Sequence, residues 1–362
     1  MEIGIVGLPN VGKSTLFNAI TKAKAEAANY PFCTIEPNVG VVEVPDPRVD
    51  KIAEVVKPER VVRAVTRFVD IAGLVRGASR GEGLGNKFLS HIRQVDGIAH
   101  VVRCFTDPNV THVEGSVDPA RDIDTINTEL ILADLETAQR RLERAEKVAK
   151  SGEKRGKIEA EMLKRIIDGF DRGLPVRAHE FSDEEKEILR EIGFITAKPV
   201  VYVANVGEKD LLSPPKEVDI VREIAAKENA EVVVLSAKIE SEIQELPEDE
   251  RALFLEDLGI EEPGLNKLIR TGYALLGLIT FFTAGPQEVK AWTIKRGTKA
   301  PQAAGKIHSD IERGFIRAEV IPWEKLIEVG SMTVAREKGL IRLEGKDYVV
   351  QDGDVIYFRF NV

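Results

Sequence analysis

A chain of 362 residues is longer than one hydrophobic core usually organises, and with 43% apolar and 31% charged residues it has the balance of a folded soluble protein, not of a disordered or membrane-spanning one. Its two cysteines, Cys33 and Cys104, are too few for a disulfide framework or a metal cluster and fit a reducing cytoplasm. The net charge of −9 argues against nucleic acid at large, DNA included, but it is uneven: residues 278–362 hold 13 Lys+Arg against 11 Asp+Glu, so that segment carries +2 and the rest −11.

The N-terminus, Met1-Glu-Ile-Gly-Ile-Val6, lacks the order of a signal peptide and enters a strand at once, so a cytoplasmic protein starting at Met1 is expected, with no membrane contact. Runs 2–6, 39–44, 67–71 and 98–103 read as strands alternating with helical stretches, the pattern of βαβ units around a buried, largely parallel sheet. Runs 199–204 and 231–235 resume that pattern only after a gap. The insert, 128–195, carries Leu135, Ala138, Leu142, Ala145 and Ala149 at coiled-coil spacing, a break at Ser151-Gly152 and Gly156, then Ile158, Met162, Ile166 and Phe170 four apart. It reads as an antiparallel helical hairpin, a solvated arm without chemistry of its own. After Gly277 the chain turns to short strands, aromatics and turn glycines. The expected organisation is an α/β domain over 1–277, interrupted by the arm at 128–195, and a small β-rich domain over 278–362.

The sharpest motif is Gly7-Leu-Pro-Asn-Val-Gly-Lys-Ser14, which fits G-x-x-x-x-G-K-S/T, follows strand 2–6 and opens the helical run from Thr15. In such a loop the backbone amides of Asn10, Val11, Gly12, Lys13, Ser14 and Thr15 wrap phosphates, with the positive end of the helix behind them. Lys13 neutralises the β- and γ-oxygens, and Ser14 gives a hydroxyl to Mg²⁺. One strand further on, Asp70-Ile-Ala-Gly73 supplies a carboxylate for the metal shell and a backbone N–H for the γ-phosphate. Between them Tyr30–Asn38 is a polar, proline-bearing loop of the kind used as a switch, and its Thr34 is assigned to the metal, an ordinary loop threonine being the alternative. Cys33, beside it, reads as an inert packed thiol.

A guanine pocket normally ends a strand in Asn-Lys-x-Asp. Here strand 199–204 ends in Asn205-Val206-Gly207-Glu208, with the lysine lost and the carboxylate one methylene longer, and the next strand ends in Ser236-Ala237-Lys238, matching the companion loop beside the base. Leu74 stands where Ras-like enzymes orient water with a glutamine, so either another group does so or potassium and backbone groups suffice. His112, in a polar loop, is the candidate; His91, among apolar neighbours on an apparent helix, reads as structural. A metabolic kinase would need an acceptor pocket and a lid, for which the sequence has no sign.

These motifs, with Gly81-Glu-Gly-Leu-Gly-Asn86, Phe282-Thr-Ala-Gly-Pro286 and Ala291–His308, resemble the Obg-related P-loop enzymes, and among them the YchF or Obg-like ATPase subfamily, over essentially the full chain. The resemblance implies a Ras-like G domain, a coiled-coil insertion, a C-terminal ubiquitin-like TGS domain, ATP in preference to GTP, a mobile histidine in the loop of His112, and ribosome association. An Obg-type GTPase and a ribosome- or RNA-binding switch with negligible hydrolysis are the alternatives. In the tail Lys290, Lys295, Arg296, Lys299 and Lys306 lie close to Trp292, which suggests phosphate contact with base stacking on that indole when the domain meets ribosomal RNA.

Overall fold

The computed structural model describes residues 1–23, 38–71, 84–110 and 115–361, side chains of 84–86 excepted, and they form two compact units. The first comprises Met1–Ala23, 38–40 and the described part of Arg67–Gly272. Its sheet runs β2-β4-β1-β5-β6-β7, with β1 Glu2–Val6, β2 Val39–Glu43, β4 Val65–Asp70, β5 Gly97–Arg103, β6 Val200–Asn205 and β7 Glu231–Leu235. The pairings of β1 with β4 and β5, of β5 with β6 and of β6 with β7 are all parallel. Every residue of β5 and β6 is buried, which is why these strands read as unbroken apolar runs. The accompanying helices are α1 Lys13–Lys22, α3 Leu84–Gln94, α7 Lys216–Lys227, α8 Ala237–Glu245, α9 Glu248–Asp257 and α10 Gly264–Leu275.

The arm rises from this unit as α4 Pro119–Lys150 and α5 Lys154–Phe170, followed by α6 Asp183–Ile192. Helix α4 starts nine residues before the expected 128, because Asp118 caps it through Arg121 N and Pro119 occupies the first turn. Ala138 and Ala145 of the expected seam meet Met162, Leu163, Ile166 and Phe170 in one apolar cluster, closed at its base by Ile188 and Phe194. At Gly156 a Cβ would lie 2.8 Å from Ala149 N, so the glycine is what lets the two helices approach beside the turn.

The second unit comprises Val41–Thr66 and Tyr273–Val362. Residues 41–66 lie inside the expected domain 1–277, yet α2 Pro47–Val56 and β3 Arg60–Val62 fold with the C-terminal chain. The sheet runs β11-β10-β12-β8-β9-β3, with β8 Leu278–Ala284, β9 Glu288–Lys295, β10 Phe315–Pro322, β11 Arg342–Glu344 and β12 Asp354–Phe360. The physical reason is twofold. β3 pairs in parallel with β9, and Arg48 of α2 bonds Asp46 and Asp352 while lying 5.4 Å over the Phe282 ring. Helix α11 Ala300–Gly305 packs three alanines against Ile279, Phe281, Ile294 and Phe358, while α12 Ser309–Arg313, α13 Trp323–Val329 and α14 Met332–Glu337 complete the unit.

Trp292 differs from its expected role. Its N–H donates to Thr283 Oγ1 at 2.9 Å, the Lys290 ammonium sits 3.9 Å from the ring centre, and the ring packs beside Phe281. The indole is a packed side chain, not a presented stacking platform. Lys299 is likewise paired, to Asp347 at 2.7 Å, whereas Lys295, Arg296 and Lys306 are exposed.

Candidate active site

The loop between β1 and α1 is pinned by what it buries: Leu8 and Val11 turn inward, and Leu16, Phe17, Ala19 and Ile20 fix the helix that follows. Asn10 takes φ 64° and Gly12 φ 94°, left-handed backbone that bends the loop around a concave row of amides. Gly12 is needed twice over, since a Cβ there would lie 2.2 Å from Asn205 Nδ2. As the N-cap of α1 it offers no side-chain acceptor, and the first turn holds no acidic residue. The first-turn amides therefore meet a positive helix end with no carboxylate in that turn to compete, an arrangement suited to phosphate.

Parallel pairing sets Ile5 opposite Asp70, so β4 delivers its last side chain beside the loop, where the Lys13 ammonium bonds the Asp70 carboxylate. Both side chains are largely covered, at 12% and 23% exposure. Ser14, next along the helix, is exposed. No cluster of three His, Cys, Asp or Glu side chains occurs among the described residues, so a metal here would take one carboxylate with hydroxyl and ligand oxygens. That hard, oxygen-only donor set fits Mg²⁺ and does not fit zinc.

Asn205 ends β6 and is buried. Its Nδ2 donates to Val11 O at 2.8 Å, and its Oδ1 accepts from Ala237 N at 2.9 Å. One side chain thus braces the phosphate loop, the end of β6 and the start of α8. Val206, Ser236 and Ala237 are buried around it. Glu208 and Lys238 are exposed and 3.9 Å apart, the loosest contact in the set.

Arg103 escaped the sequence reading. It ends β5 almost completely buried and donates to Val110 O at 2.9 Å, Phe105 O at 3.2 Å and Asn10 O at 3.4 Å, stacked 4.4 Å over the Phe105 ring. The signal was a charged residue closing an otherwise apolar strand, where a guanidinium must find carbonyl partners. His91 is exposed on α3 while Phe88, Leu89 and Ile92 face the core, so its apolar sequence neighbours do not enclose it. Thr34, Gly73 and His112, with Cys33 and Leu74, lie outside the described residues.

Residues 2–147 match the family described as 50S ribosome-binding GTPase, and residues 278–361 match YchF-GTPase_C, described as a protein of unknown function (DUF933). The chain is 59% identical to a Bacillus subtilis protein named ribosome-binding ATPase YchF, covering 100% of both, and 56% identical to a protein of that name from Escherichia coli O157:H7, covering 100% of this chain and 99% of the relative. Among solved structures, the Schizosaccharomyces pombe YchF GTPase superposes with a TM-score of 0.89 at 38% identity, over 99% of this chain and 97% of that one. A GTP-binding protein of Pyrococcus horikoshii OT3 shares the fold, with a TM-score of 0.61 at 20% identity over the full length of both.

Proposed function

The chain belongs to the YchF family, and we propose that it is a magnesium-dependent ATPase that docks on the ribosome from the cytoplasm and switches with its nucleotide. The observation that carries this reading is the meeting of Lys13 and Asp70 at a glycine-capped helix start whose first turn is free of acidic residues.

In this reading the amides from Asn10 to Thr15 donate to the triphosphate, and Lys13 holds the β- and γ-oxygens as a point charge. Phosphate oxygens then compete with Asp70 for the ammonium. The hydroxyls of Ser14 and Thr34 and the carboxylate of Asp70 would hold magnesium. When bound, the ion supplies neutralisation of the charge that builds on the transferring phosphoryl group. Gly73 donates its amide to the γ-phosphate. His112 orients the attacking water in place of Leu74, which has no hydrogen-bonding group, with potassium and backbone groups as the alternative means. Thr34, Gly73 and His112 rest on the motifs alone.

ATP is preferred because Val206 is buried and has no stem to lay along a guanine, and because the Glu208 carboxylate has an exposed ammonium, Lys238, as its neighbour. The relatives named as ATPases support the same choice. Ribosome docking is supported by those relatives' names and by the cationic balance of 278–362, through which ribosomal RNA would be met.

Titration of ATP, GTP and their diphosphates against the purified chain is the test. ATP is expected to bind at least tenfold tighter than GTP, since a site lacking a paired hydrogen bond discriminates by orders of magnitude. Equal or tighter GTP binding would leave an Obg-type GTPase. Lys13→Ala should abolish most affinity or turnover; if it changes neither, the phosphate-loop assignment fails.

A further inference from the structure

The sheet of the second unit carries a surface that the basic run at 290–306 does not include. Antiparallel register sets Glu319 of β10 opposite both Leu343 of β11 and Tyr357 of β12, and sets Arg317 opposite Arg359 two positions along. Leu343, Glu319, Tyr357, Arg317 and Arg359 therefore share one face, because positions two apart along a strand point the same way. Glu319 is the inward member. It is buried at 7% side-chain exposure and accepts from Arg359 Nε at 2.9 Å and from Arg336 Nη2 of α14 at 3.2 Å. Burial alone would push that carboxyl up, yet it lies below its ordinary value, because the two guanidiniums outweigh the desolvation. One carboxylate thus fixes two arginines in place.

The third arginine is left over. Arg317 is exposed and has no ion pair among the described residues, and directly opposite residues in an antiparallel sheet lie about 5 Å apart, so it stands next to Arg359. The face therefore carries three guanidiniums for one carboxylate. Beside them the Tyr357 ring is 51% exposed, with the Arg359 guanidinium 4.6 Å from its centre, and Leu343 is 62% exposed. Unlike Trp292, which the core holds, this aromatic is presented to solvent.

We propose that this face of β10, β11 and β12 binds a single-stranded stretch of RNA, with phosphates on Arg317, Arg336 and Arg359 and a base against Tyr357. The proposal rests on the ribosome-docking reading and names where on the C-terminal unit the RNA lies. Forked guanidiniums match phosphate oxygens two at a time, and an exposed ring next to them gives an unpaired base a stacking surface. An acidic protein segment would use the arginines and leave the ring without a role. A duplex would keep its bases stacked on each other.

The probe is a fluorescein-labelled 12-nucleotide oligouridylate, titrated by anisotropy into the full chain over a salt series. The test variant is Arg317→Glu with Tyr357→Ala, both exposed and neither in the nucleotide site. Affinity should fall about tenfold or more, the effect of one lost stack and one reversed phosphate contact, with a shallower salt dependence and unchanged ATP turnover. Arg317→Gln alone should give a smaller loss in the same direction. Unchanged affinity in both variants overturns the proposal. So does displacement of the oligonucleotide by poly-L-glutamate of matched charge as readily as by unlabelled RNA, which would make the face a general acceptor of acidic chains. Ribosome co-sedimentation separates the two levels of failure. A double variant that pellets like the parent removes this face alone, whereas a parent that never pellets removes the docking reading itself.

Discussion

Asn205 offers the sharpest test of how the phosphate loop is held. Replacing it with alanine would strand the Val11 carbonyl and the Ala237 amide, whose residues are 1% and 2% exposed, away from water. An orphaned buried polar group costs about 1–3 kcal/mol, so the pair amounts to roughly 2–4 kcal/mol after partial relaxation. In a domain of this size that corresponds to a fall in melting temperature of roughly 5–15 °C. Asn205→Asp is the informative companion. It keeps the oxygen that accepts from Ala237 N but turns a second oxygen on Val11 O, so it should destabilise at least as much as alanine. Scanning fluorimetry with and without MgATP, together with calorimetric ATP titration, reads both effects. An Asn205→Ala protein that melts within about 1 °C of the parent would refute the accounting. One that loses stability but binds ATP normally would show that the brace does not set the loop.

Arg103→Met leaves the Asn10, Phe105 and Val110 carbonyls without their shared donor, and ATP affinity should drop about tenfold by calorimetry, the equivalent of one orphaned carbonyl; an unchanged dissociation constant would exclude a link to the loop. His112→Ala should slow turnover while leaving ATP affinity nearly intact, as expected of a group that acts in the transition state, and equal turnover in parent and variant would move the role elsewhere. His100, buried against Tyr202, has its pKa pushed down to about 3, first by burial and then by Arg177. The unfolded chain then takes up a proton that the folded one refuses, so this group's contribution is complete above about pH 6.5 and is lost progressively as pH falls towards 3. Urea unfolding should show about 1–2 kcal/mol less stability at pH 5 than at pH 7 in the parent, with a smaller difference in His100→Gln; equal differences would place the acid sensitivity in other groups.

The phosphate loop and the six strands of the first unit were readable because each rests on local signals, a fixed spacing of glycine and lysine or a run of β-branched residues. The arm was readable for the same reason, save for its start. Asp118-Pro119 is itself a helix-start signal, but the apolar seam that drew attention begins later, at Leu135. Membership of 41–66 in the second unit was not readable, since the pairing of β3 with β9 joins residues 228 apart and no short pattern announces it. Arg103 and Trp292 show a different limit. Sequence reveals that a side chain is charged or aromatic, whereas whether it is buried on carbonyls or presented to solvent depends on the strands that flank it.

How the arm joins the sheet follows from polar residues placed where apolar ones would pack more cheaply. Asn127 and Asp134 lie seven apart on α4, hence on one face of the helix. Asn127 bonds Arg177 at 2.9 Å and Glu228 at 3.3 Å, and Glu228 in turn accepts from Arg177 at 2.7 Å and from the Tyr202 hydroxyl at 2.9 Å. Asp134 is fully buried and accepts from Ile195 N and from both Thr196 N and its hydroxyl. A buried ion pair adds little net stability over a well-packed apolar substitute, because desolvation offsets the attraction. Its effect is on register. Turning α4 by one residue would rotate Asn127 and Asp134 by about 100°, leaving Glu228 without one partner and the Ile195 and Thr196 amides without an acceptor. Each orphan costs about 1–3 kcal/mol, whereas the seam alanines, being small and alike, would tolerate the slip. The apolar seam therefore holds the arm's helices together, and the polar set at its root fixes the single orientation in which they leave β6, the strand that three residues further on supplies Asn205 to the phosphate loop.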